Sequence, residues 1–149
     1  ERTVATKWHD ALRLPIEIVE LINKLDCKAA INIQGEVDYD DVGEIMKAHH
    51  AFVLFSDWET QSCVALEALC SGRPVITSRV GGVQELVDAR NGILVTSGNV
   101  EELSNAMLEG KQNFEQFNLE QIAQDAQEKY SYDQVANQIL EVYKEVLAS

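Results

Sequence analysis

Two glutamates, Glu59 and Glu67, stand eight residues apart at what reads as a strand-to-helix junction, in the segment Ser56-Asp57-Trp58-Glu59-Thr60-Gln61-Ser62-Cys63-Val64-Ala65-Leu66-Glu67. Glu59 falls in the loop that opens the helix, and Glu67 roughly two turns into it, about 10 Å further along at the α-helical rise. A carboxylate can accept hydrogen bonds from two neighbouring hydroxyls, so each suits a sugar or ribose diol. Between them, the unpaired N–H groups and the dipole of the helix start suit a pyrophosphate. The combination fits a sugar nucleotide, with its sugar at Glu59, its ribose at Glu67 and its phosphates at the helix N-terminus. Spacing alone leaves a second reading open, in which Glu59 is a helix-start carboxylate favoured by the dipole and Glu67 a solvated helix residue.

The elements that must position this pair can be read from the apolar pattern. Short runs at residues 28–34, 51–56, 74–78 and 92–95 are β-branched or aromatic, are bounded by Gly, Pro, Asn or Ser, and predict strands. Phe52-Val53-Leu54-Phe55 and Val75-Ile76 are continuous rather than alternating, which suits a parallel sheet covered on both faces. Helical spacing follows Pro15 at Ile16, Val19, Ile22 and Leu25, and recurs over 41–48, where Val42, Ile45 and Met46 point inward. It recurs again over 61–71, closed by Gly72, and over 100–107, 119–130 and 132–147. The last helix carries Val135, Ile139, Val142, Tyr143 and Val146 on one face. The polar stretch 110–118 reads as a helix–helix connection. Alternating strands and helices predict an α/β fold with a doubly wound, Rossmann-like parallel sheet, whose ligands bind beyond the carboxyl ends of the strands.

The 149 residues are expected to form one domain with a single core. No apolar run reaches the length of a membrane span and the acidic start does not resemble a signal peptide, so the expected location is cytoplasmic. A net charge of −13 excludes nucleic acid and anionic membrane as partners of this segment. The same charge repels an anionic nucleotide at long range, so a phosphate site needs backbone N–H groups and a few local cations. Cys27, Cys63 and Cys70 cannot all pair and have no zinc spacing; they are expected as reduced core residues. His49 and His50 end a helix with no metal-spaced partner, a position that suits the helix dipole. Trp58 suits either stacking on a base or closing a loop over the core. Gly81 and Gly82 read as a turn with unusual backbone torsions.

The residues from Glu59 to Val95 also form an ordered pattern: a Glu pair followed by Ala, then Gly72, Pro74-Val75, Gly81-Gly82, Glu85 and Asn91-Gly92. This pattern resembles the donor-binding half of the retaining family-4 glycosyltransferases, the glycosyl transferases group 1, which have a GT-B fold. The resemblance runs from about Val37 to Val95 and more weakly through the last helices. It implies a nucleoside-diphosphate sugar as substrate, transfer with retention of anomeric configuration, and no metal or other cofactor. It further implies that Glu59 binds the transferred sugar near the reacting centre, as the catalytic residue, and that Glu67 holds the ribose. The backbone amides of Ser62 and Cys63 would meet the phosphates, and Gly81 and Gly82 would let their loop approach the donor sugar. Ser62 stands where many relatives have glycine, which keeps the N–H contact but limits the closest approach. Relatives carry an Arg and, about five residues later, a Lys that grip the diphosphate; Arg2 and Lys7 have that spacing.

Two departures accompany the resemblance. No first strand precedes Glu1-Arg2, and the segment Gln34-Gly35-Glu36-Val37 runs almost directly to Asp41, where relatives insert a further helix and strand. This donor half is therefore expected to be trimmed in its N-terminal part, or to lack segments. The N-terminal acceptor domain is expected to be absent from the chain, leaving residues 1–149 as a donor-binding domain that is inactive in transfer alone. Two rival readings keep the scaffold but not the activity: a GT-B-like sugar-nucleotide epimerase, and a non-catalytic module whose acidic surface binds a partner.

Overall fold

The computed structural model describes residues 20–22, 24, 25, 30–32 and 34–148. Among the described residues three short strands, β1 (Phe52–Leu54), β2 (Val75–Ser78) and β3 (Gly92–Val95), form a parallel sheet in the order β1-β2-β3. Phe52 pairs with Val75, and Val75 in turn with Gly92, so the strands start level and their carboxyl ends share one edge. Around them lie α1 (Tyr39–Lys47), α2 (Cys63–Cys70), α3 (Val100–Gln112), α4 (Leu119–Tyr130) and α5 (Tyr132–Ala148). Short 3-10 segments occupy Gly81–Glu85 and Phe114–Gln116.

The sheet is covered on both faces, as the continuous apolar strands require. On one face Val75 packs with Val42 and Met46 of α1, Ala65, Ala68 and Leu69 of α2, and Ile122 and Ala126 of α4. On the other, Ile76 and Val95 pack with Ala106 of α3. The small, fully buried Ala65 and Ala68 let α2 lie close to the sheet. Gly72 closes α2 with φ +71°, and a Cβ there would stand 2.6 Å from the Leu119 carbonyl oxygen, so the close seat of α4 depends on glycine.

Several boundaries differ from expectation for local reasons. β1 is shorter than residues 51–56, because Phe55 and Ser56 already leave the ladder toward the loop. α3 continues through Gly110, which was expected to begin a connection. A Cβ at Gly110 would lie 3.2 Å from Ile76 Cδ1, so the missing side chain lets the last helical turn approach the sheet. Of the expected strand at 28–34, residues 30–32 and 34 are described and none is in a strand. Residues 20–22 and 24 are helical, whereas Leu25, expected on the buried face, is exposed. Ile16 and Val19 lie outside the described residues. Among the described residues no helix is long and apolar enough to cross a membrane.

Candidate functional site

The loops leaving β1, β2 and β3 converge at the carboxyl edge of the sheet, and α2 begins there. Ser62 is its N-cap: the buried side chain accepts from the Ala65 N–H at 3.3 Å. A helix leaves its first four N–H groups without intrahelical acceptors. Ser62 takes the one at Ala65, and those of Ser62 itself, Cys63 and Val64 are left for an incoming acceptor, backed by the helix dipole.

Glu59 is half-buried three residues before this cap. The Ser56 hydroxyl donates to its Oε1 at 2.8 Å, which orients the carboxylate. Its loop is tied to the segments that follow both other strands. Gly82 N–H donates to the Thr60 carbonyl at 2.6 Å, and Ser97 Oγ, beyond β3, donates to Asp57 Oδ1 at 2.9 Å. Gly81 has φ +49°, and a Cβ there would overlap the Glu59 carbonyl oxygen. A Cβ at Gly82 would stand 2.7 Å from the Thr60 carbonyl oxygen. The close approach that these glycines allow is thus to the backbone of the Glu59 loop.

Glu67 is half-buried on α2, and among the described residues no hydrogen bond or ion pair engages its carboxylate. One turn on, burial and then the Glu67 charge raise the pKa of the Cys70 thiol. Ser62, Cys63 and Glu67 therefore share one short helix with Glu59 just ahead of it, as the spacing predicts. Two expectations fail. Cys63 is exposed rather than in the core, because its side chain faces the open loop edge while Val64 and Ala65 beside it pack against the core. Trp58 is 77% exposed and does not close over the core, since the glycine ties hold its loop at the rim. Cys70 is a half-buried free thiol, and Cys27 lies outside the described residues.

Arg2 and Lys7 also lie outside the described residues. A cation to which the sequence pattern gives no role, Arg79, stands exposed where β2 ends. Hydrogen bonding to Thr96, through its side chain and then its backbone N–H, and after that the positive field of Arg79, hold the Glu102 carboxyl below its usual range. Its signal in the sequence is a basic residue placed directly between a strand and the Gly-Gly pair. Arg73, by contrast, donates to the His49 carbonyl at 3.1 Å and braces the opposite end of the sheet. Asn91 is structural as well: its side chain accepts from Asp88 N–H at 2.8 Å and donates to the Leu86 carbonyl at 2.9 Å, shaping the turn into β3. A hollow of about 700 Å³ lies near that turn, lined by Glu85, Asp88, Arg90, Asp125 and Lys129 and by neither member of the Glu59–Glu67 pair. Among the described residues no three metal-ligating side chains cluster.

This architecture recurs in solved GT-B glycosyltransferases. Sucrose-phosphate synthase from Thermosynechococcus elongatus superposes with a TM-score of 0.78 at 25% identity, over 89% of this chain and 34% of that one. HepE from Anabaena, solved in complex with UDP, gives 0.79 at 24% identity, over 87% of this chain and 36% of that one. The fold class is therefore that of the GT-B glycosyltransferases. Residues 12–113 match the family described as Glycosyl transferases group 1, and the chain belongs to that family. An uncharacterised glycosyltransferase of Methanocaldococcus jannaschii is 30% identical over 128 residues, covering 84% of this chain and 33% of that protein. The D-inositol 3-phosphate glycosyltransferase of Corynebacterium urealyticum is 26% identical over 135 residues, covering 89% of this chain and 32% of that protein. The chain spans about a third of the length of the curated relatives it matches.

Proposed function

We propose that residues 1–149 form one nucleotide-sugar-binding domain, the donor half of a retaining glycosyltransferase that moves a hexosyl or related group to a glycan, lipid or small-molecule acceptor in the cytoplasm. The observation that carries this reading is the junction itself: an oriented Glu59, the capped start of α2 at Ser62 and the unpaired Glu67 carboxylate follow one another from the loop after β1 into α2. A relative of the same fold holds UDP, which agrees with a nucleoside diphosphate as the ligand class.

Glu59 accepts from the hydroxyls of the donor sugar and Glu67 from those of the ribose. As the glycosidic bond to phosphate breaks, negative charge grows on the departing diphosphate, and groups already aimed there lower the barrier most. Those groups are the Ser62 and Cys63 N–H donors, with that of Val64 beside them, and the α2 dipole, with Arg79 at the rim and Arg2 and Lys7 joining from the N-terminal region. No metal ion takes part in this scheme. Acceptor binding belongs to a separate N-terminal domain, so this chain alone binds donor but does not transfer it.

A thermal-shift and saturation-transfer NMR panel of UDP-, GDP- and ADP-sugars tests the reading. At least one is expected to bind wild-type chain and to lose affinity in Glu67→Ala. No response from any of them up to millimolar concentration would falsify the donor site.

A further inference from the structure

The two glycines after β2 stand in the family pattern as ligand-approach residues, yet their closest neighbours are the main-chain atoms of Glu59 and Thr60. Gly81 presses on the Glu59 carbonyl with φ +49°, and the Gly82 N–H donates to the Thr60 carbonyl at 2.6 Å. That bond joins segments that are far apart in sequence, across the pairing of β1 with β2. From the other side, the Ser56 hydroxyl occupies Oε1 of the Glu59 carboxylate at 2.8 Å. An ionised carboxylate is an acceptor only, so the serine must donate, and Oε2 is the oxygen left for a ligand hydroxyl. Main chain and side chain of Glu59 are thus held separately, the first by Gly81 and Gly82 and the second by Ser56.

We infer that Ser56 and the Gly81–Gly82 turn are positioning residues for Glu59, which set where its free oxygen points and so how strongly the sugar of the donor is gripped. The inference rests on the donor-site reading above. It assigns Ser56 a part in sugar recognition, and it moves the glycines from contacting the ligand to holding the residue that does. A side chain at Gly82 would stand 2.7 Å from the Thr60 carbonyl oxygen, so the loop must shift and take Glu59 with it. Loss of the Ser56 hydroxyl leaves the loop in place but frees the carboxylate to turn.

Isothermal titration of the 149-residue chain with UDP, GDP, ADP and their glucose conjugates separates these effects. For the nucleotide that binds best, the quantity read is the affinity of the glucose conjugate divided by that of the bare diphosphate. In Ser56→Ala this ratio should fall roughly ten-fold, the scale of one hydrogen bond to a charged group, with affinity for the bare diphosphate held within about two-fold. Ser56→Thr keeps the hydroxyl and should recover most of the ratio, and Gly82→Ala should lower it at least as far as Ser56→Ala. An unchanged ratio in Ser56→Ala overturns the inference, as does an equal loss of both affinities in a variant whose amide NMR spectrum remains folded. Should Gly82→Ala fail to fold, the two Ser56 variants decide the matter. Wild-type chain that binds a bare diphosphate without any gain from glucose refutes the positioning role alone, whereas no binding of any nucleotide refutes the donor site and the inference together.

Discussion

Helices α2 and α5 are opposites. The shorter, α2, spans Cys63–Cys70 and buries Ala65, Ala68 and Leu69 to 2% exposure or less. The longer, α5, spans Tyr132–Ala148 and buries nothing: Val135, Ile139, Val142 and Tyr143 of its apolar stripe are 39% to 62% exposed. In α2 apolar residues lie on several sides, because the sheet, α1 and α4 all press on it. In α5 they lie on one regular face, and among the described elements its main contact is with α4. A helical stripe states that a face is apolar; burial depends on how many elements the topology brings to it. The helix that carries the candidate site is also the one most tightly held, which suits a site needing fixed N–H donors and a fixed carboxylate.

This contrast can be broken in five measurements. The largest effect should come from truncating the side chains themselves. Leu69→Ala is expected to cost about 2–5 kcal/mol in urea denaturation, from lost burial and the cavity left behind. Ile139→Ala should stay within about 0.5 kcal/mol, as an exposed position does. A loss above about 1 kcal/mol at Ile139 would show α5 to be buried in solution and end the contrast. Next come the caps. Ser62→Ala should cost about 1 kcal/mol of global stability, because α2 cannot fray without opening the core. The Ser131 hydroxyl accepts from Gln134 N–H at 3.3 Å at the start of α5, and Ser131→Ala should change only the amide exchange of that helix.

A smaller effect lies within α2, between its open and closed ends. Exposed Cys63 should react with iodoacetamide well before Cys70, whose thiol pKa is raised by burial and then by Glu67; Glu67→Gln should narrow the difference. The folded chain holds the Cys70 proton more tightly than the unfolded chain does. That contribution to stability is whole below the ordinary thiol pKa of about 8.5 and is lost as pH rises through the raised value, so Cys70→Ala should flatten the alkaline loss. Smallest of all, the Lys144–Glu141 pair on α5 spans 2.7 Å in full solvent, and Lys144→Ala should change stability by less than about 0.5 kcal/mol.

Much of this was legible residue by residue. Pro74 and Gly92 bracket continuous apolar runs, and β2 and β3 fall within a residue of the expected ends. Asn118 caps α4 at the expected Leu119, its side chain accepting from Gln121 N–H at 3.1 Å. Glu59, Ser62 and Glu67 sit on the junction that their spacing implied. The failures share a cause. Gly110 was expected to begin the connection after α3, yet it sits where the helix touches Ile76, so tertiary packing overrode a weak local propensity. The Ser97–Asp57 hydrogen bond joins residues 40 apart, and no local window contains both. Ser56 was visible only as the start of the motif, since the geometry that aims its hydroxyl at Glu59 depends on where the glycine turn holds the loop.

By itself the sequence determined the alternation of strands and helices, the family, and the placing of a carboxylate on each side of a helix start. All three are written in short-range patterns of apolar spacing, caps and turn residues. The tertiary structure alone decided that Gly81 and Gly82 seat against the Glu59 loop, that Trp58 and Cys63 face solvent, and that the stripe of α5 is exposed. These outcomes depend on close approach between segments distant in the chain, and each is settled by a few tenths of an ångström of space that no single segment encodes.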